Sequence, residues 1–201
     1  MSKNPTFSVI VVKRGEIMTN QKGESSYRRF LAGDMSAVLE LVTLYGDALV
    51  RYAYCYVKDS AIAEDIMEDA FASLLAKRKR FSCGENLRAY LYKITRNKCI
   101  DYLRFRKKNL PLGDYESVLV GGDFTEELTE RARNRTLYRC INELPPQYAE
   151  VVYLVYIEGR SIEETCALLK KSKKQVYNLL ARAKTSLKEL LKKEGISHED
   201  V

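Results

Sequence analysis

Apolar residues recur at steps of three and four along most of this chain. After Asp34, the positions Val38, Leu41, Val42, Tyr45, Leu49, Tyr52 and Tyr56 predict one face of a helix ending near 57–59. Asp59 or Ser60 is a suitable cap for a second helix over 60–80, whose inward stripe is Ile62, Ile66, Ala70, Phe71 and Leu74. Asn86 caps a third over 86–108, with Leu87, Leu91, Ile94 and Leu103 as its apolar side. The pattern stops over 109–124 and resumes near Thr125. It then breaks again before Leu144-Pro145-Pro146, where a proline in the first turn starts the next helix with Val151, Val152 and Val155 inward. Gly159 stands at a helix C-terminus, and Ser161 to Glu164 has the form of a capping box opening a short helix to about Leu169. Ser172 caps a last helix to about Lys193, with Val176, Leu179, Leu180, Ala183 and Leu187 inward. A short helix, a tight turn and a longer basic helix predict a helix-turn-helix.

The expected fold is therefore all-α, with two small helical domains joined by a flexible linker. The boundaries predicted are a flexible N-terminal extension over 1–24, a first domain over 25–109, an acidic linker over 110–124, a second domain over 125–195 and a polar tail over 196–201. Within the extension Phe7 to Val12 is β-branched and apolar, but a lone strand without a partner is not stable. Ten Gly and four Pro in 201 residues are few enough to exclude a β-sandwich or a collagen-like chain. Apolar runs such as Val151 to Ile157 fall far short of the ~20 residues of a membrane span. With no signal-peptide pattern, a cytoplasmic protein is expected.

Charge sharpens the picture. The net is +7, yet residues 77–108 alone carry +10 and residues 170–193 carry +8, leaving −11 on the remainder. Two cationic surfaces on an acidic body point to a phosphate backbone as partner. The five cysteines never stand at C-x-x-C spacing and the only histidine, His198, lies in the tail. No metal site, disulfide framework, cofactor or small-molecule substrate is expected, and no nucleophile, base and orienter constellation marks an enzyme.

Three stretches together resemble the extracytoplasmic-function group of the sigma-70 superfamily, the sigma factors of bacterial RNA polymerase. Ala63-Glu64-Asp65-Ile66-Met67-Glu68-Asp69-Ala70-Phe71 resembles the family's A-E-D-x-x-Q-[DE]-x-F stretch. Leu87-Arg88-Ala89-Tyr90-Leu91-Tyr92-Lys93-Ile94-Thr95-Arg96-Asn97, leading to Asp101-Tyr102-Leu103-Arg104, resembles its L-R-x-W-L-Y-x-I-A-x-N … D-x-x-R stretch. Leu144-Pro145-Pro146 through Glu158-Gly159 to Glu163-Glu164 resembles the third. Their order and spacing cover about residues 25–193.

The resemblance implies a chain that binds core RNA polymerase and directs promoter-specific initiation. The first stretch matches region 2.2, with Asp65, Glu68 and Asp69 at polymerase-contact positions. The second matches regions 2.3 and 2.4, which read and melt the −10 element. There Tyr90, Tyr92 and Asn97, with the loop Phe81 to Asn86, are expected to hold unstacked bases, and Arg88, Lys93, Arg96 and Arg104 to hold phosphates. The third leads into region 4.2, where Lys173, Lys174, Tyr177, Asn178 and Arg182 are expected to meet the −35 element, with Lys184 on a phosphate. An anti-sigma factor is a further partner that the resemblance leaves open. The chain departs from the family in having no Trp, with Leu75 and Tyr90 where Trp is common, and Glu68 where Gln is usual. Lys170 replaces the common turn Gly; because a non-Gly residue disfavours positive φ, a turn of another type is expected. The competing class is a stand-alone helix-turn-helix regulator, which needs the basic last helix but neither the acidic motif nor the aromatic-basic helix.

Overall fold

The computed structural model describes residues 16–79, 81, 86–109 and 130–195, and among these every regular element is a helix. The predicted linker over 110–124, the tail over 196–201, residues 1–15 and the loop positions 82–85 lie outside the described residues. The described residues fall into two compact units, one within 14–122 and one within 123–201.

The first unit contains α1 (Glu16–Leu31), α2 (Ala37–Val57), α3 (Ser60–Lys77) and α4 (Leu87–Asn109). Helix α2 is its axis, packed against α1, α3 and α4. That position explains why its stripe widens toward the C-terminus until Tyr52 through Val57 are all buried. Leu41, Leu49, Tyr52, Leu74, Leu87 and Leu91 are fully enclosed. Each aliphatic side chain so placed contributes about 1.5–3 kcal/mol. Helix α3 begins where the sequence predicts, the Asp59 carboxylate accepting from the Ile62 amide at 3.0 Å.

Helix α1 corrects the expected loose extension, because residues 16–24 are its first two turns. Tyr27 and Phe30 bury its inner side at 2% exposure each. Gly23 lies directly against Tyr45 of α2, so close that a Cβ at 23 would overlap the Tyr45 hydroxyl. Arg29 completes the seam with the carboxylates of Asp34 and Glu40, which also accepts from the Ser26 hydroxyl at 2.6 Å. These hydrogen bonds hold the Asp34 and Glu40 carboxyls below their ordinary range, Ser36 being the strongest influence on the first and Ser26 on the second.

The second unit contains α5 (Glu130–Glu143), α6 (Pro146–Val152), α7 (Ile162–Leu169) and α8 (Lys173–Lys193). Pro146 sits in the first turn of α6, which widens into a π turn over Tyr153–Ile157 and closes with the Glu158 amide on the Tyr153 carbonyl. Val151, Val152, Tyr153 and Leu154 fill the core, while Val155 is only half-buried. Gly159 takes the left-handed conformation expected of it, at φ 62°.

Candidate nucleic-acid and polymerase interfaces

The acidic motif lies on the outer side of α3. Ala63, Ile66, Ala70 and Phe71 face the core, which turns Glu64, Asp65, Glu68 and Asp69 to solvent. Asp69 is not independent of the basic helix, since it accepts from the Lys98 ammonium of α4 at 3.0 Å. An exposed pair of this kind contributes up to about 1 kcal/mol, and it ties the two motifs together.

Helix α4 opens on Asn86, whose side-chain oxygen accepts from the Ala89 amide at 2.6 Å. Leu87, Leu91, Tyr92, Ile94, Thr95 and Cys99 form its buried side. The opposite side carries Tyr90, Lys93, Asn97 and Arg104, which the helical repeat brings into one outward stripe. Lys93, Asn97 and Arg104 are exposed, Tyr90 half-buried and Arg96 partly covered on the flank, whereas Arg88 is partly covered and lies on the side of Leu91 and Thr95, near Tyr45, away from the stripe. Arg104 lies 3.5 Å from a surface carboxylate, that of Asp101.

Tyr92 is a correction. Expected to stack on a base, it is 1% exposed, with its ring 4.9 Å from that of Tyr52, so it belongs to the core. Tyr90 instead stands at the edge of a second aromatic group. Its ring meets Phe81 edge to face at 5.4 Å, Phe81 meets Tyr27 at 5.4 Å, and the Lys79 ammonium lies over both Phe81 and Tyr90, at 5.4 and 4.8 Å. Aromatic faces beside a cation suit a nucleotide. Sequence reasoning reached Phe81 and Tyr90 but missed Tyr27 and Lys79: the first lay in a stretch without helical periodicity, the second counted only toward the charge of the basic stretch 77–108.

In the second unit α7 and α8 form the expected helix-turn-helix. Capping boxes close both starts: Ser161 with Glu164, and Ser172 with Gln175, the latter pair exchanging bonds of 2.9 and 3.3 Å. The turn contradicts the expectation of another type. Lys170 itself takes the left-handed conformation, at φ 53°, with its amide on the Cys166 carbonyl. A cation at a helix C-terminus is favourable, which offsets part of the conformational cost. Lys58 and Arg78 end α2 and α3 in the same way.

Val176, Leu180, Ala183, Leu187 and Leu191 bury one side of α8, leaving Lys174, Asn178 and Arg182 exposed on the other. Tyr177 flanks them at 56% exposure. Lys173 reaches back to Glu163 of α7 at 2.6 Å; the contact raises the Lys173 pKa and lowers that of Glu163. Lys184 is set apart from the stripe, half-buried with its ammonium 5.1 Å from the centre of the Tyr156 ring. No group of His, Cys, Asp and Glu among the described residues is placed to hold a metal, and no described helix is long and apolar enough to cross a membrane.

Comparison with known proteins matches residues 41–109 to the family model of sigma-70 region 2 and residues 134–187 to that of sigma-70 region 4. The chain is 29% identical over 167 residues to the ECF RNA polymerase sigma factor BldN of Streptomyces coelicolor, covering 81% of this chain and 63% of that one. It is 25% identical over 164 residues to the ECF sigma factor SigM of Bacillus subtilis, covering 80% and 98%. A solved structure of the sigma factor RpoE, in complex with the anti-sigma factor NepR from Bartonella quintana, superposes with a TM-score of 0.63 at 26% identity, covering 76% of this chain and 95% of that one.

Proposed function

We propose, for a chain that belongs to the extracytoplasmic-function group of the sigma-70 family, that its three surfaces divide the work of promoter-directed transcription initiation. The acidic side of α3, with Asp65, Glu68 and Asp69, docks on core RNA polymerase through a cationic partner surface. The outward stripe of α4 engages the −10 element. Lys93, Arg88, Arg96 and Arg104 hold phosphates there, while Asn97 and Tyr90 take bases out of the stack. The exposed side of α8 enters the major groove at the −35 element, with Lys174, Asn178 and Arg182 foremost, Lys173 and Tyr177 beside them and Lys184 toward the backbone. The chain supplies binding energy and no chemistry of its own. An anti-sigma factor of the kind seen with RpoE is a candidate regulator of this chain.

The observation that carries this reading is the division of α4: one side is core, and the other lines up an aromatic ring, an amide and cations. Run-off transcription tests it. Core polymerase with this protein should initiate at a defined subset of promoters and open a −10 bubble detectable by permanganate. Tight, sequence-specific binding by the free protein, at ~10⁻⁸ M or better without polymerase, would favour the stand-alone regulator instead.

A further inference from the structure

The start of the loop between α3 and α4 is held from outside by α1. The Tyr27 hydroxyl donates to the Lys79 carbonyl at 2.9 Å. In return the Arg78 guanidinium donates to the carbonyls of Phe30 and Leu31, each at 3.2 Å, in the last turn of α1. It also lies 4.8 Å from the centre of the Phe30 ring. The contacts are reciprocal, because each segment supplies a donor to the other's main chain across about fifty residues of sequence. Burial raises the pKa of the Tyr27 hydroxyl.

This clamp sits where the chain leaves α3 for the aromatic group. Arg78 turns the backbone in the left-handed conformation, Lys79 follows with its carbonyl fixed, and two residues later Phe81 meets both Tyr27 and Tyr90. Tyr27 is 2% exposed and therefore cannot itself meet DNA. What it does reach is the backbone of the residue whose ammonium covers the Phe81 and Tyr90 rings, and the ring of Phe81 directly.

We propose that Tyr27 is a positioning residue for strand capture, holding Phe81 against Tyr90 so that an unstacked base meets an aromatic pair already formed. The inference rests on the −10 reading of α4 given above, and extends it to a buried side chain of α1. A preformed pair removes the ordering cost that a free loop would incur at binding.

The test uses the reconstituted holoenzyme and a fluorescent single-stranded oligonucleotide carrying the non-template −10 sequence. Tyr27→Leu should weaken its binding roughly tenfold, the scale of one lost base stack, with core polymerase affinity unchanged. Tyr27→Phe keeps the ring and loses only the hydrogen bond, so its affinity should fall between the two. Tyr90→Ala is the parallel control. Loss with Tyr90→Ala but none with Tyr27→Leu would overturn the positioning role and leave strand capture intact. No loss with either would overturn strand capture itself, and positioning with it. A parallel fall in core affinity for Tyr27→Leu would make Tyr27 a residue of the general fold and refute its specific role.

Discussion

Gly23→Ala probes the seat of α1, one helical turn before Tyr27. In an unconstrained helix the change should stabilise by about 0.8–1.0 kcal/mol, since glycine is the poorer helix former. Here the new methyl would overlap the Tyr45 hydroxyl and lie 2.6 Å from both Cε2 and Cζ of the ring. Removing the hydroxyl alone leaves two of those contacts, and Tyr45 is buried at 3% exposure, with little room to retreat. Overpacking of this sort costs about 1–3 kcal/mol. The clash outweighs the propensity gain, and a net destabilisation of about 1 kcal/mol is expected. Tyr45→Leu is destabilising by itself, but in that background Gly23→Ala should become neutral or stabilising. The coupling in the double-mutant cycle should then be about 1–2 kcal/mol. Urea denaturation followed by circular dichroism measures all four proteins, and amide exchange in α2 assigns the change to this unit. A Gly23→Ala protein at least as stable as wild type would show that α1 does not seat on Tyr45 as described.

Asp65→Arg with Glu68→Arg should abolish co-purification with core polymerase while far-UV dichroism stays unchanged, both side chains being exposed. Asn97→Ala should slow open-complex formation and be partly rescued by a pre-melted −10 bubble. Arg182→Ala or Asn178→Ala should cost about 1–3 kcal/mol per lost base contact and gain nothing from the bubble; permanganate footprinting on both templates separates the two classes, and equal rescue would refute the division. Tyr92→Ala should lower stability by about 3–5 kcal/mol as a core truncation, with loss of every activity in parallel. Lys58→Met should stabilise at neutral pH, because burial lowers the Lys58 pKa and the folded state disfavours its charged form. That penalty is complete below the folded pKa and disappears as pH approaches the unfolded value of 10.5, so the gap between variant and wild type should close on going from pH 7 to 10 in urea melts.

Helices α3, α4, α7 and α8 were legible because apolar periodicity and caps agreed, and α2 was legible from its periodicity alone. Asp59, Asn86, Ser161 and Ser172 each bond as their residue types suggest. Helix α1 was not, because Gly23, Ser25 and Ser26 interrupt its apolar positions, and what fixes it is distant in sequence: Tyr45, Glu40 and residues 78–81. Tyr92 was misread for a related reason. A helix with one neighbour buries a narrow stripe, but α4 contacts α1, α2 and α3, and the wider buried side takes in Tyr92, Thr95 and Cys99 as well as the leucines. Lys170 defeated a rule about glycine, because the rule weighs steric cost and omits the charge placed at the helix end. At the candidate sites, residue types and helix faces could be read in advance. The internal ties of Asp69 to Lys98 and of Lys173 to Glu163 could not, since each joins two helices whose packing the sequence does not state.

The ring of Phe81 also has an optical consequence. The chain holds fourteen tyrosines and no tryptophan, so its near-ultraviolet emission comes from phenol rings alone. An indole placed at the half-buried position 81 by Phe81→Trp would be the only one in the free protein, and it would stand between Tyr27 and Tyr90 under the Lys79 ammonium. Its emission would therefore report on a single site, and an added oligonucleotide displacing that ammonium would be visible without any external label.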